Sequence, residues 1–79
     1  MKLNQHEQAL LNILAEEWEK SGPPGYMETS IIAECLGIPI KDVKSTIGSL
    51  FVKGMVDTDE VDTFAAYLTP EGYELARKT

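Results

Sequence analysis

Apolar residues recur at helical spacing in three successive segments before the chain changes period. Leu3, Leu10, Leu11, Leu14 and Trp18 fall on one side of a 3.6-residue repeat, which predicts an amphipathic helix over about 5–20. Asn4, with Glu7 three residues later, has capping-box spacing: the Asn oxygen takes a free N–H of the first turn and the Glu reaches back to the cap backbone. Gly22-Pro23-Pro24-Gly25 ends this helix, because a proline has no N–H to extend the ladder. Tyr26-Met27-Glu28 follows as a short extended piece, available to pair with a later strand.

Thr29 or Ser30 is expected to cap a two-turn helix carrying Ile31, Ile32, Cys35 and Leu36, with Gly37 at the left-handed closing position. Pro39 suits the first turn of a third helix reaching about Lys53, in which Ile40, Val43, Ile47, Leu50 and Phe51 recur at steps of three and four. Gly54 stops it. Beyond that point Met55-Val56-Asp57 and Phe64-Ala65-Ala66-Tyr67-Leu68 predict two strands of a hairpin, separated by the polar stretch from Thr58 to Thr63. Thr69 as cap and Pro70 as first residue restart a helix, with Arg77 and Lys78 in its last turn, where the helix dipole favours cations.

Seventy-nine residues make a single domain, 1–79, since a chain this short buries only about 60% of its unfolded surface and cannot divide that core. Hydrophobic content of 43% with 25% charged residues is that of a globular protein. The longest apolar runs fall far below the ~20 residues needed to cross a bilayer. The lone Cys35 cannot close an intrachain disulfide and no secretory pattern opens the chain, so a reducing, cytoplasmic setting is expected. One His and one Cys form no metal-ligand set, and neither a Gly-rich phosphate loop nor a nucleophile with a partnering base is present. Neither catalysis nor a cofactor is therefore expected. The net charge of −6 repels phosphate unless the positive charge is gathered in one place.

Helix, short extended piece, helix, tight turn, helix, hairpin and final helix is the order of a winged helix-turn-helix domain, and particular residues carry the resemblance. In Ile32-Ala33-Glu34-Cys35-Leu36-Gly37-Ile38, followed by the apolar Val43, the small Ala and the Gly stand four apart as in the helix-turn-helix signature. Ala lets the two helices approach, and Gly turns the chain at low steric cost. Leu50-Phe51-Val52-Lys53-Gly54-Met55-Val56 resembles the stretch leaving the recognition helix for the wing. Leu68-Thr69-Pro70-Glu71-Gly72-Tyr73-Glu74-Leu75 is similar to the segment after the wing in MarR-type regulators. Two features depart from that pattern. Thr46 stands where the signature prefers an apolar residue, which implies a slightly rotated helix, and the added dimerisation helices of MarR-type regulators are lacking.

The resemblance implies an α+β, mainly helical fold: a three-helix bundle with a two- to three-stranded wing and a C-terminal helix. It also implies that helix 39–53 lies in the major groove of duplex DNA, as in a small transcriptional regulator or accessory factor. At 100° per residue, the face opposite Ile40, Val43, Ile47 and Phe51 presents Lys41, Asp42, Ser45, Ser49, Val52 and Lys53, flanked by Lys44 and Gly48. Lys41 and Lys44 are the candidates for phosphates or bases, Ser45 and Ser49 for hydroxyl contacts, and Lys53 for backbone phosphate at the helix end. From Pro39 to Val56 the net charge is +2, which leaves −8 for the rest of the chain.

The wing points elsewhere. Asp57, Asp59, Glu60 and Asp62 place four carboxylates in six residues with no cation among them, so phosphate would repel it. The alternative reading is a protein–protein interaction module in which this acidic wing meets a basic partner. Other residues have plainer readings. Cys35 is expected as a buried structural thiol, His6 as an exposed residue of the first turn, and Trp18, Tyr26, Phe51, Phe64 and Tyr67 as core material. Gly48 is expected where a neighbouring helix approaches closely.

Overall fold

Both halves of the capping box form: Glu7 N–H donates to Asn4 Oδ1 at 2.8 Å, and Asn4 N–H donates to Glu7 Oε1 at 3.0 Å. From that start α1 runs Gln5–Ser21 and buries Leu10, Leu11, Leu14 and Ala15. The computed structural model describes residues 2–58 and 65–78. Along it follow β1 (Met27–Glu28), α2 (Thr29–Leu36), α3 (Ile40–Val52), β2 (Val56–Thr58), β3 (Ala65–Leu68) and α4 (Pro70–Lys78).

The period-2 segments form one antiparallel sheet in the order β1-β3-β2. Tyr26-Met27-Glu28 supplies the expected extended piece, with Met27 opposite Ala66 and Glu28 opposite Ala65. Val56 faces Leu68 and Thr58 faces Ala66, so β2 starts a residue later than its apolar pattern suggests. The wing tip with Asp59, Glu60 and Asp62, and Phe64, lie outside the described residues. Asp57 lies on β2, and its carboxylate accepts the Thr58 N–H.

The core is one cluster. Leu10, Leu11 and Leu14 of α1, Ile32 of α2, Val43, Ile47 and Leu50 of α3 and Val56 of β2 are fully buried together. Fully burying side chains of this size stabilises the fold by about 2 kcal/mol each before chain entropy is subtracted. Ala33 is buried in the core, and Gly37 closes α2 at φ +69°, donating its N–H to the Ala33 carbonyl. A residue with a Cβ is strained there, which is why the turn needs glycine.

Four expectations change. Neither Thr29 nor Ser30 caps α2: Thr29 is already its first helical residue, and Glu28, in extended conformation, holds the cap position without a side-chain bond. Pro39 likewise precedes α3 as its cap residue, since its ψ of 148° is extended. Cys35 is exposed, because α2 turns Ile32 and Ala33 inward and leaves Ile31 and Cys35 outside. The aromatic residues divide. Trp18 packs on the core and stacks on Tyr73 at 4.6 Å between ring centroids, whereas Tyr26 and Phe51 are about half exposed, with Tyr26 stacked on Tyr67.

Candidate nucleic-acid interface

The orientation of α3 is set by which of its side chains are buried, and these are Val43, Thr46, Ile47 and Leu50. Thr46 holds the core position that usually goes to an apolar residue. Its hydroxyl donates to the Asp42 carbonyl at 2.8 Å, one turn back, so no orphaned polar group is buried. Thr46 therefore keeps the register of the signature and α3 is not rotated away from it, while Ile40 and Phe51, expected inside, reach the rim at 46% and 51% exposure.

The opposite face carries Lys41, Ser45, Gly48, Ser49 and Val52, all exposed, with Asp42, Lys44 and Lys53 half-buried at its edges. Steps of four, three and four residues align Lys41, Ser45, Gly48 and Val52 as one stripe. Gly48 is not a packing site: a Cβ built there meets nothing within 4 Å. The stripe therefore has its lowest point at Gly48, and the helix carries the conformational cost of a glycine without any internal contact to require it. Gly48→Ala is expected to stabilise the domain by about 1 kcal/mol. That corresponds to a rise of about 5 °C in the midpoint of a thermal melt, whereas an unchanged midpoint would show that the position is constrained.

Two of the five sequence candidates point elsewhere. Ser49 donates its hydroxyl to Glu7 Oε2 at 2.5 Å, and the Lys53 ammonium lies 2.7 Å from the same oxygen. Glu7 is 2% exposed, at the start of α1, and its other oxygen accepts the Asn4 N–H. The bonds from Lys53, Ser49 and the Asn4 backbone hold its carboxyl at about 2, below the ordinary 4.5, against the opposing effect of burial. One side chain thus ties the N-terminus of α1 to the last turn of α3. Removing one partner of so buried a pair costs on the order of 3 kcal/mol, because the other charge is left without compensation.

This network is not legible in the sequence. Glu7 already has a local role in the capping box, and its partners lie 42 and 46 residues away. It also changes the charge pattern. Of the +2 counted along 39–56, one unit is matched by Glu7.

The start of α4 is fixed by Thr69. Its hydroxyl accepts the Gly72 N–H as an N-cap and donates toward the Gly54 and Met55 carbonyls. Tyr73 donates to Glu19 at 2.7 Å, and Arg77 approaches both Glu19 and the Tyr73 ring. The Tyr73 and Arg77 contacts join α4 to α1, and among the described residues the α3 stripe stays exposed. Among the described residues no helix is long and apolar enough to cross a membrane, and no group of three His, Cys, Asp or Glu is placed to hold a metal ion.

No family model matches the chain and no curated protein does. Solved structures do. A protein from Ralstonia eutropha JMP134, named as a candidate DNA-binding protein, superposes with a TM-score of 0.79 at 25% identity, over 98% of this chain and 96% of its own. The C30AH42A mutant of ZitR from Lactococcus lactis gives 0.74 at 22% identity over 99% of this chain. The adhesin competence repressor AdcR from Streptococcus pyogenes gives 0.73 at 22% over 98%. The chain spans about half the length of the latter two, 51% and 55% respectively. With helices α1–α3 bundled on one core, a tight Gly37 turn between α2 and α3, the β2–β3 hairpin and a closing α4, this chain is a winged helix-turn-helix domain.

Proposed function

We propose that the domain binds duplex DNA, as a small transcriptional regulator or accessory factor, by laying α3 in the major groove. The observation that carries this reading is the outward stripe of Lys41, Ser45, Gly48 and Val52, all exposed among the described residues, on the helix that this fold presents to the groove. The names of the structural neighbours support it: one is named as a candidate DNA-binding protein and another as a repressor. Lys41 and Lys44 serve phosphate or base edges, and Ser45 offers a hydroxyl to a base or phosphate. Gly48 lets the helix axis sit close to the groove floor. The wing contributes little, since its carboxylates Asp57, Asp59, Glu60 and Asp62 are repelled by the backbone.

Two lysines are a small footprint, and magnitudes follow from it. Each neutralised phosphate contributes about 0.9 to the slope of log affinity against log salt, so a single domain is expected to show a slope near −2. The test is fluorescence-anisotropy titration of mixed-sequence duplexes at about 50 mM salt, where such attachment is visible. Lys41→Glu with Lys44→Glu is expected to abolish binding, because two attractive charges become repulsive. Binding that survives this double reversal, or an inert wild type, contradicts the proposal.

A further inference from the structure

Lys53 stands at the end of α3, where a cation would ordinarily reach the DNA backbone, yet its ammonium is held 2.7 Å from a carboxylate that is almost wholly buried. Ser49, also on the exposed side of the helix, turns its hydroxyl to the same oxygen. We infer that Glu7 is a positioning residue for the DNA-binding helix: it fixes the C-terminal half of α3 against the start of α1 and withholds Lys53 from phosphate. The inference rests on the DNA-binding reading and assigns the outer residues of α3 two separate jobs. Lys41, Lys44 and Ser45, on the N-terminal half, meet the nucleic acid, while Ser49 and Lys53 set the angle at which that half is presented.

Three features of the geometry support this division. Glu7 has every oxygen engaged, with Asn4 N–H on Oε1 and both Ser49 and Lys53 on Oε2. Lys53 is only 32% exposed, so its stem lies along the protein and not out toward a ligand. A phosphate competing for Lys53 would offer a hydrated, salt-screened contact in exchange for a desolvated one, and would leave a carboxylate buried with no cation beside it.

The experiment measures the salt dependence of binding to a mixed-sequence duplex for the wild type, Glu7→Gln, and the double variant Glu7→Gln with Lys53→Met. Gln keeps the size of Glu7 but releases the ammonium, so Glu7→Gln is expected to bind more tightly, with a slope steeper by up to about 0.9. The double variant returns to the wild-type slope. A change in stability alone does not reproduce this pattern, because a slope counts phosphates neutralised and not the fraction folded.

If Lys53 already contacts phosphate, Glu7→Gln leaves the slope unchanged and the double variant falls about 0.9 below wild type, which overturns the inference. The double variant against wild type decides the question even if Glu7→Gln folds poorly. A wild type that attaches to no duplex overturns the DNA reading and this inference together; a wild type that binds, with slopes that follow the second pattern, overturns the inference alone.

Discussion

Gly72→Ala is expected to lower the stability of the domain by about 3 kcal/mol, the upper range for forcing extra volume into a packed site. A Cβ at Gly72 would lie 1.9 Å from the Met55 carbonyl oxygen and 2.9 Å from its carbon, with Leu68 Cδ2 at 3.1 Å. No rotamer relieves a clash with backbone. The Met55 carbonyl cannot retreat without losing the Thr69 N–H at 3.2 Å and the Thr69 hydroxyl at 3.1 Å. The first turn of α4 therefore has to move off the hairpin, and the N-cap bond from Gly72 to Thr69 moves with it. Thermal unfolding, followed by helical circular dichroism, is expected to shift down by about 15 °C. Gly37→Ala is the control. Its site is open and only its positive φ is unfavourable, so it is expected to cost about 1 kcal/mol. Equal losses for the two variants would show that α4 does not press on Met55.

Glu7→Ala is expected to cost about 2 to 3 kcal/mol at neutral pH, and the loss is expected to fade in acid. The Glu7 carboxyl sits at about 2 in the folded domain against an ordinary 4.5, a depression caused first by the Lys53 bond, then by Ser49 and the Asn4 N–H. A depressed carboxyl binds its proton more readily unfolded than folded. Its contribution is therefore complete above about pH 5 and disappears as the pH falls toward 2. A shift of this size is worth about 3 kcal/mol at most, trimmed toward 2 because the Lys53 end of the pair is partly wet. Urea unfolding of the wild type and Glu7→Ala should give curves well separated at pH 7 that converge near pH 2. A gap independent of pH would mean that Glu7 acts only by packing and not as an ion.

Much of this architecture is written locally. The Asn4–Glu7 spacing, the Gly37 turn and the Thr69-Pro70 start are short-range signals whose chemistry closes within one turn, and each forms where the residues place it. Residue spacing alone does not orient α3, because Ile40 and Phe51 fit the same apolar repeat as the core residues. Thr46 holds the buried position instead, its hydroxyl satisfied by its own helix, which a polar residue in the repeat does not announce. The exposure of Cys35 is hidden for a related reason: a two-turn helix has too few apolar positions to show which side faces inward.

The candidate interface was partly legible. A face bearing Lys41 and Ser45 follows from periodicity, and the structure leaves both exposed. The engagement of Ser49 and Lys53 by Glu7 does not follow, since it is a contact between chain segments more than forty residues apart. Nor does the openness at Gly48. A glycine inside a helix reads equally as a tight contact or as a gap, and only its surroundings distinguish the two.

The most direct measurement is a titration of the 15N-labelled domain with a mixed-sequence duplex, followed by amide chemical shifts at low salt. The shifts are expected to centre on Lys41, Lys44, Ser45 and Gly48, with the Lys53 end of α3 and the α1–α4 edge little moved. Shifts concentrated on the wing or on α4, or none at all as duplex is added, would contradict a DNA-binding role for α3.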